Sequence, residues 1–212
     1  MAVYLDEDMV GYDAGLIGFP HLLLCMGFVI RTNNDLWGVH LTGVDASAST
    51  FAEFWQWCSA KGLLAGTITD IYGCANHKIR YGTTSAAAGI NAWKSEMGGF
   101  ANVMGYHGEA HGFDTSIIHP KDGTYVEYRH QNFGNQSCRI FYKRNEKTHE
   151  VGNGQLVNYN GGTSNIAKVN KKHGGFNSMA IVKVGVAGNT SFFHTGKIHE
   201  VDYASRLTTV QV

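Results

Sequence analysis

Leu22-Leu23-Leu24-Cys25-Met26-Gly27-Phe28-Val29-Ile30, then Asn33-Asn34-Asp35, then Leu36-Trp37-Gly38-Val39-His40-Leu41 is the stretch that decides the fold. The first run is apolar and partly β-branched, the second is a turn cluster, and the third returns as a strand. Folding the chain back about Asn33-Asn34 sets residue 26 opposite residue 41. Cys25 and His40 then face each other or lie one register step apart. Such a pair can move a proton from thiol to imidazole, and the resulting thiolate–imidazolium pair is a nucleophile at neutral pH.

The composition around this hairpin is that of a β-rich globular chain. Its 212 residues carry 27 Gly and only 2 Pro, with Lys+Arg and Asp+Glu both at 17. The length suits one domain. A balanced charge argues against nucleic acid as a partner, because that footprint is normally basic. Abundant Gly with many Tyr, Phe, Thr and Val points to strands joined by glycine turns and bulges. The four cysteines, Cys25, Cys58, Cys74 and Cys138, are sparse and include no CxxC. They do not read as a disulfide framework. Met1 to Asp8 has neither a basic n-region nor an apolar h-region, so no signal peptide is expected. No apolar run is long enough for a membrane span. The expected setting is cytoplasmic synthesis, with secretion without a cleavable signal peptide left open.

Outward from the hairpin, residues 1–20 read as a lead-in with one strand. Asp45 to Thr50 is a polar loop. Thr50 to Lys61 has Phe51, Phe54, Trp55 and Cys58 at helical spacing and Gly62 as a stop. Leu63 to Tyr72 is a strand, and Ile90 to Met97 a second helix closed by Gly98-Gly99. Residues 100–118 read as short strands and glycine turns. Thr124–Arg129 and Ser137–Tyr142 are strands, and 143–177 are loops with one further strand. Strands follow at 179–186, 191–194, 197–203 and 207–212. The expected class is α+β, a mostly antiparallel β-sheet or sandwich with two flanking helices. One domain, 1–212, would hold a core at 22–143 and a β-rich extension at 150–212.

From Leu22 to about Lys143 the chain resembles the CheD-like chemoreceptor glutamine deamidases and the deamidase domain of cytotoxic necrotizing factor toxins. The matching pieces are Cys25 at a strand start, Gly38-Val39-His40 on the return strand, and the helix Phe51 to Lys61. Ile71-Tyr72-Gly73-Cys74-Ala75-Asn76 and the loop Asn132-Phe133-Gly134-Asn135 before the Arg139 strand complete them. The resemblance implies a Cys nucleophile, a His base and hydrolysis of a glutamine side-chain amide on a protein partner, as in a bacterial toxin or effector. Two positions depart from the CheD-like pattern: Leu23-Leu24 stand where it has Gly-Ser, and Phe19 where it has a Thr that contributes to the site. In the necrotizing factor group a backbone carbonyl orients the histidine, which leaves no trace in sequence.

Deamidation needs a nucleophile, an acid–base group and oxyanion donors. Cys25 and His40 are the catalytic candidates, and Gly27, Gly73 and the Cys25 N–H are oxyanion or cleft candidates. No cofactor is called for. A transglutaminase would use the same groups with an amine replacing water. The alternative from another class is a non-catalytic β-rich binding or assembly module. A third reading is a metal site on His107, Glu109 and His111, which would share one face of a strand, with Asp114 and His119 nearby. Phe51, Phe54 and Trp55 read as core, and Trp57 as a partner contact if it falls on the far face. Lys168 to Lys172 reads as a solvated loop. Oligomeric state is not encoded in any of these features.

Overall fold

The computed structural model describes residues 2–5, 7–118, 123–130, 138–144, 166–169, 176–178 and 199–212. The hairpin forms as expected: β4 (Met26–Arg31) and β5 (Leu36–Leu41) pair antiparallel with Met26 opposite Leu41 and Gly27 opposite His40. All twelve residues of the two strands are buried. That follows from their place in the middle of a sheet covered on both faces, where continuous apolar runs replace polar alternation. On the outer side of β5 lies β2 (Met9–Asp13), and beyond it β10 (Ile166–Val169) and β11 (Phe176–Ser178). On the outer side of β4 lie β6 (Asp70–Ala75), β7 (Glu109–Asp114) and β13 (Leu207–Gln211). These make one eight-stranded sheet.

A five-stranded sheet packs on one face of it, in the order β1 (Ala2–Tyr4), β3 (Leu16–Leu22), β8 (Thr124–Arg129), β9 (Arg139–Arg144) and β12 (His199–Glu200). Helices α1 (Val44–Ala60) and α3 (Ala86–Met104) cover the other face, with the short helix α2 (His77–Arg80) between β6 and α3. A last short helix, α4 (Tyr203–Arg206), leads into β13. The fold is α+β: a two-sheet sandwich with its flanking helices on one side. Most pairings are antiparallel, while β1–β3 and β6–β7 are parallel. The latter follows from α3, whose length carries the chain back across the sheet as a crossover.

Two cores result. Between the sheets lie Leu5, Ile17, Phe19, Cys25, Val29, Tyr72, Cys74 and Tyr128. Under the helices lie Met26, Phe28, Val39, Phe51, Phe54, Trp93, Met97 and Phe100. Phe51 stacks on Phe100 at 4.1 Å between ring centroids, and Phe28 meets Phe51 edge-on at 4.9 Å.

Several elements differ from expectation. Residues 2–22 hold three strands rather than one, so the sheets begin well before residue 22. Helix α1 begins at Val44: the Asp45–Thr50 segment is its first turns, with Ser47 and Thr50 already buried. The strand expected over 63–72 starts only at Asp70. Helix α3 runs through Gly98-Gly99 to Met104. Those glycines face open space, while Trp93, Met97, Phe100, Ala101 and Met104 continue the buried stripe past them. Packing outweighs a glycine penalty of about 1 kcal/mol each. The Ser85 side chain caps the helix start, and Gly105, at φ 65°, ends it. Trp57 is core, edge-on to Trp37 at 5.9 Å, and Trp55 is the half-buried one. Strand β13 confirms the expectation at 207–212, and pieces of 166–212 edge both sheets. The strands expected at 179–186 and 191–194 lie outside the described residues.

Two glycine classes give opposite expectations for stability. A Cβ at Gly112 would sit 2.5 Å from the Trp93 ring, so Gly112→Ala lowers stability by about 1–3 kcal/mol through overpacking. Gly98→Ala raises it by about 0.5–1 kcal/mol. Urea midpoints of the two variants against the parent measure both.

Candidate functional site

Strand parity puts Cys25 and His40 on one face. Residues 26, 28 and 30 of β4 and 37, 39 and 41 of β5 serve the helix-side core, whereas Cys25 and Val29 face the other sheet. His40 shares that face: its ring meets the Phe19 ring edge-on at 5.9 Å. Since His40 lies opposite Gly27, Cys25 is its diagonal neighbour across the strand pair, two residues along the same face. Diagonal neighbours on a strand pair lie about 7–8 Å apart. The Phe19 ring packs directly over Gly27, where an added Cβ would strike it at 2.6 Å.

The turn between β1 and β2 closes over the pair. His40 Nδ1 lies 2.8 Å from the Leu5 carbonyl oxygen. A carbonyl only accepts, so Nδ1 carries the proton and Nε2 is the basic nitrogen. The Asp8 N–H donates to the His40 carbonyl at 2.9 Å, and Asp8 sits at φ 62°, a region in which Asp is one of the better tolerated side chains. The Cys25 thiol donates to Glu7 Oε1 at 3.5 Å. Glu7 and Leu24 are exposed, whereas Cys25 is 5% exposed and His40 1%. The thiol therefore sits just beneath the surface, under Glu7.

Electrostatics differ from the expected resting ion pair. Burial, and next the Glu7 carboxylate, push the Cys25 thiol up to about 12, so it is protonated at neutral pH. Cys58, Cys74 and Cys138 are fully buried and are also pushed up, with burial the first cause in each. Cys74 donates to the Phe113 carbonyl at 3.4 Å.

The other expected site residues are dispersed. Gly73 lies mid-strand in β6 between Phe28 and Gly112. Its α-carbon faces Met97 and Trp93 on the helix side, so the sheet separates it from the Cys25 face. Gly27 is on the Cys25 face, and its carbonyl accepts from the Tyr128 hydroxyl at 3.5 Å. His107 and Glu109 are exposed. His111 is buried, with Nδ1 2.9 Å from Thr209 Oγ1, and burial lowers its pKa. Among the described residues no three His, Cys, Asp or Glu side chains come together as a metal site. The metal reading of His107, Glu109 and His111 is thereby corrected: β13 takes up His111, and His107 precedes the strand instead of sharing its face. His119, the Asn132–Asn135 loop and Lys171-Lys172 lie outside the described residues. A separate cleft of about 520 Å³ opens at the turn end of the hairpin, lined by Asn33, Asn34, Asp35, Trp37 and Lys61 among others. It is at the far end of β4 from Cys25.

Sequence reasoning missed the second layer of the site. Arg80 donates from Nη1 to both the Leu24 and Thr42 carbonyls, each at 2.9 Å, directly beside Cys25. Its Nε and Nη2 engage Glu96 at 3.0 and 2.6 Å. Ser47 and Tyr81 also donate to Glu96, each at 2.7 Å. A single Arg in Asn-His-Lys-Ile-Arg reads as surface, and no local spacing pairs it with Glu96. No protein-family model matches the chain, and no curated protein sequence matches it.

Neutralising Glu7 removes a charge that opposes ionisation, whereas burial stays. Glu7→Gln therefore moves the Cys25 ionisation midpoint down from near 12 while leaving it above the ordinary 9.0. The pH dependence of iodoacetamide alkylation at Cys25, mapped by peptide mass, measures it; an unchanged profile would show that Glu7 has no hold on the thiol.

Proposed function

We propose that the chain is a Cys25–His40 thiol hydrolase that deamidates a glutamine side chain on a protein partner, in the manner of a toxin or effector. The observation that carries the reading is the diagonal placement of Cys25 and His40 on one face, with His40 Nδ1 held by the Leu5 carbonyl. The same feature supports the resemblance to the necrotizing factor group, in which a carbonyl orients the histidine. Phe19 lies beside His40, where the CheD-like pattern would place its Thr, and Leu5 supplies the hydrogen bond that a phenyl ring lacks.

In this reading His40 is a general base rather than half of a preformed ion pair. As the glutamine amide enters, the thiol proton passes to Nε2 and Sγ bonds to the amide carbon. The C–N bond then breaks, and ammonia leaves with the proton returned by His40. Water attacks the thioester, gives its proton to His40, and breaks the C–S bond. The thiol regains its proton and the product is a glutamate side chain. The exposed Glu7 would swing aside to admit the amide. Attack by an amine in place of water would make the same site a transglutaminase.

A second reading, a non-catalytic β-rich binding or assembly module, draws on the burial of all four thiols. One experiment separates the two. A cell extract is incubated with the parent, Cys25→Ser or His40→Ala protein, and glutamine-to-glutamate conversions are mapped by mass spectrometry. The deamidase reading expects conversion that Cys25→Ser abolishes and His40→Ala reduces by about 10²–10⁴-fold. Identical maps for parent and Cys25→Ser would leave the binding module.

A further inference from the structure

We propose that Arg80 is a positioning residue for this chemistry: by holding the Leu24 carbonyl, it presents the N–H of Cys25 as the donor to the oxyanion of the tetrahedral intermediate. The inference rests on the deamidase reading of Cys25 and deepens it.

Every described peptide bond is trans, and in a trans peptide the C=O and N–H point in opposite directions. The Leu24–Cys25 peptide directs its carbonyl at Arg80 Nη1, 2.9 Å away. Its N–H, which belongs to Cys25, therefore points away from the guanidinium. Arg80 lies on the helix side with Glu96 of α3 and Ser47 of α1, whereas the Cys25 thiol lies toward the other sheet. Anchoring the carbonyl on the helix side turns the N–H toward the side where the thiol reacts. A nucleophile's own amide is well placed for this role, since the oxyanion forms one bond from the attacked carbon.

The hold is firm. The Arg80 side chain is 0% exposed and that of Glu96 8%. Each Arg80 nitrogen is engaged, and Glu96 accepts from Arg80, Tyr81 and Ser47 together. The same Nη1 also binds the Thr42 carbonyl, so one guanidinium ties the start of β4 to the chain just past β5. Those are the two arms that carry Cys25 and His40. Lysine has a single donor point and cannot reproduce this fork. Leu24 and Leu23 lie in a bend rather than a strand, so no ladder would otherwise fix their peptide.

An oxyanion donor matters for attack on a carbonyl but not for displacement at an sp³ carbon. The test uses that difference. Cys25 is acylated with p-nitrophenyl acetate: Sγ bonds to the acetyl carbon and p-nitrophenolate leaves with the electron pair. It is alkylated in parallel with iodoacetamide, and both rates are read at Cys25 by peptide mass. Arg80→Lys is expected to lower the ratio of acylation to alkylation by at least about tenfold, with alkylation held within about threefold. Equal loss of both rates, or loss of neither, overturns the proposal. A readout on the parent protein covers the case in which Arg80→Lys does not fold. With propanal, which the thiol adds across to give a hemithioacetal, the Cys25 amide proton of ¹⁵N-cysteine-labelled protein is expected to move downfield. Adduct formation without that movement overturns the proposal. If instead the parent Cys25 reacts no faster than Cys58, Cys74 and Cys138 and is indifferent to His40→Ala, the deamidase reading fails and this inference with it.

Discussion

The pairing of Met26 with Leu41 is the constraint on which the molecule depends. Both faces of the β4–β5 hairpin are buried, so every residue of it must suit one of two cores. Even-numbered positions of β4 fill the space beneath the helices, and odd-numbered ones look into the sandwich. A slip of one residue would exchange the two sets. It would drive Phe28 against the second sheet and lift Cys25 into the helix layer. The register is therefore locked by packing, and the placement of the thiol and the imidazole on a common face is a by-product of a well-filled interior.

Glycines set the distance between layers at this point. Gly27 admits the Phe19 ring with no room for a Cβ, and Gly38 admits Ile17 and Leu5, which a Cβ would press at 3.0–3.1 Å. The smaller sheet can thus come close above the hairpin. The turn carrying Leu5, Glu7 and Asp8 closes over the Cys25 end, contributing a carbonyl to the imidazole and a carboxylate to the sulfur. From the other side Arg80 and Glu96 bind the peptide before the cysteine to three helices at once. The site is accordingly held by groups from five separate stretches of chain.

Much of this was readable in advance, and the limits have physical causes. The hairpin was legible because its turn cluster and its apolar arms are local signals. The aromatic stripe of α1 was legible for the same reason. The start of α1 was not, since small polar residues serve loops and first turns alike, and only distant partners such as Glu96, which Ser47 binds, decide between them. Gly98-Gly99 read as a stop because propensity is local, whereas Phe100 and Met104 are held by residues far along the chain. The orientation of His40 by Leu5 involves no side chain of Leu5. Arg80 was invisible because charge burial is decided by a partner sixteen positions away on another helix. The thiol's resistance to ionisation was likewise hidden, since it arises from burial and from Glu7, eighteen residues upstream.

Strand β13 completes the larger sheet on the outer edge of β7, where Thr209 meets His111 across a gap of 98 residues. During synthesis that edge exists long before its partner does. Until then it offers unsatisfied N–H and C=O groups to any extended segment nearby. Closing so distant a contact is slow relative to local pairing. A nascent chain would hence pass through a stage with one open flank, when a chaperone or a trigger for self-association would find it most receptive.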